Sequence, residues 1–243
     1  MLIVSLIVTT FNSRENFCKT YQSICTQTYP YIEIVVVDGE SIDGTREEIE
    51  RCAKTDRRIR WISEKDTGIY NALNKGIKMS TGDVLAICND EFTSKYAVEK
   101  YVLVLEKSRA DGVHSDLVYK GEKGQIVRTW RMGKGTIRNG WMPGHPTLYL
   151  RREVYEKFGL YKENYRCAAD YEFMVRVLKD NSVNLTYLPE TLISMFYGGT
   201  SSNGVKAYWI SFKEGWRALR ENKVKWAFVI TCLRTIRVLK QFV

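Results

Sequence analysis

The stretch Trp61–Phe92, WISEKDTGIYNALNKGIKMSTGDVLAICNDEF, decides how the chain is read. Trp61-Ile62 is a short strand that turns through Ser63-Glu64-Lys65-Asp66. Ile69, Leu73, Ile77 and Met79 then recur every three to four residues, the spacing of a buried helix face. Thr81-Gly82 stops that helix, because glycine past the last turn accepts the backbone conformation that ends it. Val84-Leu85-Ala86-Ile87-Cys88 is continuously apolar, as in a strand covered on both faces, and it ends in Asn89-Asp90-Glu91. Open α/β sheets place ligands at the carboxyl ends of their strands, so this carboxylate cluster is the first candidate site.

Working outward, Leu2–Thr9 reads as a first strand, with the Asn12 or Ser13 side chain able to cap the helix that follows and stops before Pro30. MLIVSLIV has neither the basic flank nor the cleavage site of a signal peptide and is too short to span a bilayer. Ile32–Val37 is a second strand ending at Asp38-Gly39. The Glu40–Thr45 turn opens a helix through Glu47, Ile49 and Cys52, and Arg58–Ile62 is a third strand. The first 92 residues therefore read β-α-β-α-β-α-β, an α/β class with a central, mostly parallel, nucleotide-binding sheet. Beyond it are expected a helix over Ala97–Glu106, a hairpin of Gly112–Tyr119 with Ile126–Trp130, and a strand over Pro146–Leu150. Helices over Arg152–Phe158 and Ala168–Leu178 and a final strand, Val183–Leu188, stopped by Pro189, complete the body.

Of the 243 residues 44% are hydrophobic and 27% charged, ordinary for a globular chain. Of the net charge of +9, +7 lies between Val205 and Val243, where nine Lys/Arg face two Glu. The body is therefore close to neutral, which argues against a nucleic-acid groove. The six cysteines have no CxxC or zinc spacing and read as reduced thiols of a cytosolic protein. The GxGxxG and GxxxxGK[ST] phosphate loops are absent, excluding a dinucleotide fold and a P-loop ATPase.

Several motifs in order carry a resemblance. They are Ile7–Asn12, Val37–Thr45, Asp66–Gly76, Gly82-Asp83, Gly144-His145-Pro146, Ala169–Phe173 and Gly198–Ser201. Together the chain resembles bacterial family 2 glycosyltransferases, over roughly residues 1–204. The resemblance implies an inverting enzyme of GT-A fold that moves a sugar from a UDP-sugar to a lipid-linked, undecaprenyl-diphosphate-type saccharide. Members of this size commonly serve O-antigen, capsule or related surface polysaccharides. It divides the chain into a nucleotide-sugar half (1–92), an acceptor half (93–204) and a basic helical tail (205–243).

Thr9, Phe11, Asn12 and Asp38 would hold the nucleoside, with Asp66 and Lys75 beside the pocket and Asp83 supporting it. Asp38 and Asp43 can equally serve as turn and cap residues. Asn89-Asp90-Glu91 stands where the family's DxD element holds Mn²⁺ or Mg²⁺ against the diphosphate, with Glu91 as ligand and Asp90 as the alternative. It departs from the family's Asn-x-Asp-Asp in having Glu91 and Phe92. Asp170 takes the place of the general base, where a helix N-cap is the competing role. His145 matches a position near the acceptor or diphosphate, or is a structural hydrogen-bonder. Glu172 is the poorer candidate for the base.

In the tail, Trp209, Phe212, Trp216 and Leu219 share one helical face, and Trp226, Val229, Ile230, Leu233 and Ile236 another. Lys213, Arg217, Arg220, Lys223, Lys225, Arg234, Arg237 and Lys240 supply the charge. Aromatic residues beside a basic face suit an anionic membrane surface, here the inner face of the cytoplasmic membrane; the other reading is a helix packed on the body. Two other classes compete with the transferase. A nucleotidyltransferase would want a Gly-rich basic loop that Thr9–Ser13 does not offer, and a degenerate transferase would serve as a scaffold.

Overall fold

The structure is a computed structural model that describes residues 1–179, 181–196 and 205–239. The Gly198–Ser201 motif and Lys240 lie outside the described residues. Strand β1 (Val4–Thr10) pairs in parallel with β2 (Ile32–Asp38) and with β4 (Val84–Ile87), and β2 with β3 (Ile59–Ser63). This is the parallel β-α-β-α-β-α-β order read from the sequence.

Period-two alternation in these strands sorts side chains into two cores. Val4, Leu6 and Val8 with Ile32, Ile34 and Val36 pack against α1 (Arg14–Cys25), α2 (Thr45–Thr55) and α4 (Ala97–Ser108). Ile7, Val35, Leu85 and Ile87 face the other way, onto α3 (Ile69–Met79), α5 (Arg152–Phe158) and α6 (Ala169–Leu178). Helix α3 lies so close to β1 that a Cβ at Gly76 would sit 2.4 Å from the Ile7 Cγ2. Only glycine permits that approach.

The sheet continues beyond β4 as β8 (Tyr149–Arg151), β6 (Gly112–Lys120), β9 (Leu185–Phe196) and β5 (Glu91–Phe92), with β7 (Ile126–Trp130) paired to β6. This part is mixed: β6 and β9 are parallel, whereas β8 is antiparallel to both its neighbours. Two expectations are corrected. Pro189 does not end the last strand, which runs on to Phe196. Ser115 pairs with Leu188 and Asp116 with Thr191, so Pro189 and Glu190 bulge out and the missing proline N–H removes no ladder bond. The expected strand Pro146–Leu150 begins only at Tyr149, because His145–Thr147 forms a 3-10 turn with Pro146 inside it.

The C-terminal residues form α7 (Val205–Glu221) and α8 (Ala227–Leu239). They pack on the body as part of it. Ala218, Leu219 and Ile230 are buried in the same core as Phe173 and Val175 of α6. Arg234 stacks 4.2 Å over the Tyr171 ring, and Arg237 donates to the Asn139 carbonyl at 2.9 Å. Arg217 pairs with Glu221. Much of the tail's charge is thus spent on internal contacts, and Leu219 leaves the aromatic face it was expected to share. The large hydrophobic side chains that stay exposed are Tyr208, Trp209, Trp216, Trp226, Phe228, Val229, Leu233 and Ile236, among the described residues. Among the described residues no helix is long and apolar enough to cross a membrane.

Candidate active site

The carboxyl ends of β1, β2 and β4 meet at one edge. Thr9 and Asn89 lock two of them reciprocally: the Thr9 N–H donates to Asn89 Oδ1 at 2.8 Å, and Asn89 Nδ2 donates to Thr9 Oγ1 at 2.9 Å. Asn89 is therefore a clamp between strands rather than a free ligand, which corrects its assignment to a metal. Asp38 is fully buried. Its carboxylate accepts from the Ser41 N–H at 3.0 Å, the Ser41 hydroxyl and the Ser63 hydroxyl at 2.6 Å. Asp38 thus holds the turn after β2 together and presents no oxygen to solvent. Asn12, with a left-handed φ of 46°, crosses to that turn through Asn12 N–H to Ser41 Oγ and Ile42 N–H to Asn12 Oδ1.

The carboxylate facing the open edge is Asp66. A Cβ at Gly39 would stand 2.6 Å from Asp66 Oδ2 and 3.2 Å from the Phe11 ring. The bare Gly39 backbone therefore packs directly against Asp66 and the 63% exposed Phe11 ring, which stand together at this edge. Asp66 Oδ1 also accepts the Gly68 N–H at 3.0 Å, which sets the start of α3. Lys75 turns back on the same loop, to the Lys65 carbonyl at 2.8 Å and Glu64 at 2.9 Å. Asp83 is elsewhere. It precedes β4, at the opposite end of the sheet, and its carboxylate accepts the Ile3 N–H at 2.7 Å. The parallel register that pairs Val4 with Val84 puts it there, so the structure does not bring Asp83 to the pocket.

In the first turn of α3, the hydroxyl of the buried Tyr70 lies 3.4 Å from Asp170 Oδ1. Burial first, then the Asp170 charge, raises the Tyr70 pKa, so the phenol stays protonated and is a donor. His145 Nε2 is 2.6 Å from the Tyr161 hydroxyl. Burial lowers the His145 pKa against an opposing pull from the Asp170 charge. Asp170, Tyr70, His145 and Tyr161 form one cluster. Asp170 is the second residue of α6 and does not cap it: the cap position is Ala168. Glu172 is wholly buried between Lys162 at 3.0 Å, Arg176 at 3.0 Å and Asn222 at 3.1 Å, a packing role.

Past β4, Asp90 is half-buried and Glu91 exposed. Loss of solvent, and next the charge of Glu91, pushes the Asp90 carboxyl up to about 7. Lys19 of α1 lies in the field of Glu91. Among the described residues no three Asp, Glu, His or Cys converge as a metal cage. Two adjacent carboxylates with repelling charge nevertheless fit a Mg²⁺-type ion, which takes one or two carboxylates plus substrate phosphate.

Sequence reasoning did not single out Tyr70, Tyr161 or Glu214. Tyr70 lay inside the quoted Asp66–Gly76 motif. Glu214 carried a signal too: it and Glu221 are the only acids among the last 39 residues and, seven apart, share one helix face.

The Glycosyl transferase family 2 model matches residues 5–167. An uncharacterized glycosyltransferase of Haemophilus influenzae is 29% identical over 221 residues, covering 84% of this chain and 68% of the relative. The crystal structure of S. aureus TarS in complex with UDP-GlcNAc superposes with a TM-score of 0.75 at 17% identity, over 98% of this chain and 73% of that one. The mannosyltransferase PcManGT of Pyrobaculum calidifontis, in complex with GDP-Man and Mn²⁺, gives 0.65 at 16% identity, over 98% and 75%. These neighbours share the fold, and with two-thirds of its length matched the chain belongs to glycosyl transferase family 2, built on the GT-A fold.

Proposed function

We propose that the enzyme is an inverting transferase that moves a sugar from a UDP-sugar to a hydroxyl of a lipid-linked saccharide in bacterial surface-polysaccharide synthesis. The observation that carries this reading is the run of α3: its leading loop brings Asp66 to Phe11 and Gly39, and its first turn reaches Asp170. A planar base stacks on the exposed Phe11 ring, and Asp66, which the absent Cβ at Gly39 admits beside that ring, accepts a ring N–H. Asn12 and Asp38 shape that site through the turn they hold, Thr9 through its clamp to Asn89, and Lys75 steadies its loop.

Displacement needs three things: a positioned acceptor, a place for its proton and relief of charge on the departing diphosphate. Asp170 takes the hydroxyl proton as the oxygen attacks the anomeric carbon and the sugar–phosphate bond breaks, leaving UDP. The neutral His145 and the Tyr161 hydroxyl line the acceptor side and supply hydrogen bonds without adding charge. Asp90 and Glu91 would hold Mn²⁺ or Mg²⁺, which would supply Lewis-acid stabilisation of the leaving diphosphate.

Calorimetric titration of UDP- and GDP-sugars, with and without Mn²⁺, tests the donor and the metal together. UDP-sugar binding that strengthens with Mn²⁺ is expected, and Asp90→Asn should abolish the strengthening. Because a cation must displace the proton held by a carboxyl raised to about 7, Mn²⁺ affinity should weaken as pH falls below that value. Preference for GDP-sugars would overturn the donor assignment, and a metal effect that survives Asp90→Asn would overturn the seat.

The exposed aromatic residues of α7 and α8, with Lys213, Arg220, Lys223 and Lys225 around them, are proposed to rest on an anionic membrane where a lipid-linked acceptor lies. Phe228 joins Phe212 and Trp216 in edge contacts at 6.1 and 6.3 Å, a continuous aromatic surface across both helices. Flotation with anionic liposomes should recover the wild-type protein, and Trp209→Ser with Trp226→Ser should leave it in the pellet. Equal flotation of the variant would sink the idea.

A further inference from the structure

Helix α6 begins without a capping side chain of its own, since Ala168 stands at the cap position. Helix starts leave backbone N–H groups without partners, and Ser, Thr, Asp or Asn ordinarily answers them. At α6 the acid comes from α7 and holds the chain leading into the helix rather than its first-turn amides. The Glu214 carboxylate accepts three consecutive backbone N–H groups, from Arg166 at 2.7 Å and from Cys167 and Ala168 at 2.9 Å each. Its two oxygens divide the work, Oε1 taking Arg166 and Oε2 the other two. A carboxylate shared by three successive donors fixes both the direction and the height of the chain entering α6.

Asp170 follows two residues after Ala168, and the Tyr70 hydroxyl meets it at 3.4 Å. Helix α7 is itself firmly seated. Ala218 and Leu219 are wholly buried, and Glu221 takes the Lys162 ammonium at 2.9 Å and the Tyr165 hydroxyl at 3.0 Å. The segment from Lys162 to Ala168 is thus stapled to α7 at both ends, by acids seven residues apart.

We infer that Glu214 is a positioning residue for the general base: it acts through the backbone of residues 166–168, touches no substrate, and makes α7 part of the catalytic apparatus. The inference rests on Asp170 being the base. Glu214→Gln keeps the size of the side chain but turns an NH₂ group toward N–H donors that need an acceptor. It is expected to lower kcat about 10- to 100-fold, the scale of an ångström-level misplacement of a catalytic group. The donor KM should stay within about twofold, since Phe11 and Asp66 lie on other elements, and the amides of 166–168 should lose protection from hydrogen exchange.

A merely structural role would lower donor affinity and thermal stability along with kcat, and that outcome overturns the inference. So does unchanged kcat when the amides exchange freely. Combined with Asp170→Asn, the Gln substitution should add no further loss, because it acts through a group already removed; multiplying losses would reject the route through Asp170. If Glu214→Gln does not fold, Glu214→Asp, one methylene short of the same donors, is expected to show the same split between kcat and KM. A fully active Asp170→Asn would remove the base assignment, and the positioning role with it, whatever Glu214→Gln does.

Discussion

Asp170→Asn should fold like the wild type, bind donor with unchanged affinity and lose roughly 10²- to 10⁴-fold in kcat, the usual contribution of a general base. The expectation of an intact fold comes from its surroundings. Asp170 makes no ion pair among the described residues and does not cap its helix; the Tyr70 hydroxyl can donate to an amide oxygen as it does to the carboxylate. What Asn lacks is the capacity to take a proton from the acceptor hydroxyl. Single-turnover transfer, followed by mass spectrometry of the acceptor, reads the chemical step apart from product release. Turnover at the wild-type rate would show that another group accepts the proton.

Two residues on, Glu172→Ala should have the opposite profile. Its carboxylate is wholly enclosed and neutralises Lys162 and Arg176 while taking the Asn222 amide. Removing one partner of a buried ion pair leaves the remaining charge uncompensated. Lys162 keeps Glu221 and some solvent, so the cost falls at the lower end of the usual range, about 3 kcal/mol. For a chain of this size that corresponds to a fall in Tm of roughly 6–12 °C by calorimetry. Below the melting transition, the folded fraction should keep most of its kcat. A Tm within a degree of wild type would contradict the account of Glu172 as a packing residue.

The parallel half was open to sequence reading because local signals agreed there. β4 is apolar throughout and β1 and β2 nearly so, α3 repeats its apolar residues at helical spacing, and glycines mark the turns. The mixed half was harder. A proline that reads as a strand end at position 189 sits in a bulge, and only the partner strand's register reveals it. The candidate site divides the same way. Its residue types were visible in the ordered motifs, but not the direction in which they point. Asp38 and Asp66 look alike in a sequence; the first is turned inward onto two serines, the second faces the Phe11 ring. Asp83 sits one residue before a strand whose other end carries the pocket, and strand polarity alone decides which end it serves. Glu214 belongs to a helix that reads as a basic tail, and its service to α6 arises only from tertiary packing.

The division of the interior into two cores has a consequence for biosynthesis. All but Tyr149 and Leu192 of the core on the α1, α2 and α4 side come from residues before 114. The opposite core draws on Ala218, Leu219 and Ile230. At about 5–20 residues per second, the ribosome delivers the first set several seconds before the second. The core under α1, α2 and α4 can consolidate while the nascent chain is still growing, whereas the helix that carries Asp170 must wait for α7 to emerge. The seating of Asp170 is thus scheduled late in translation, after the first core already exists.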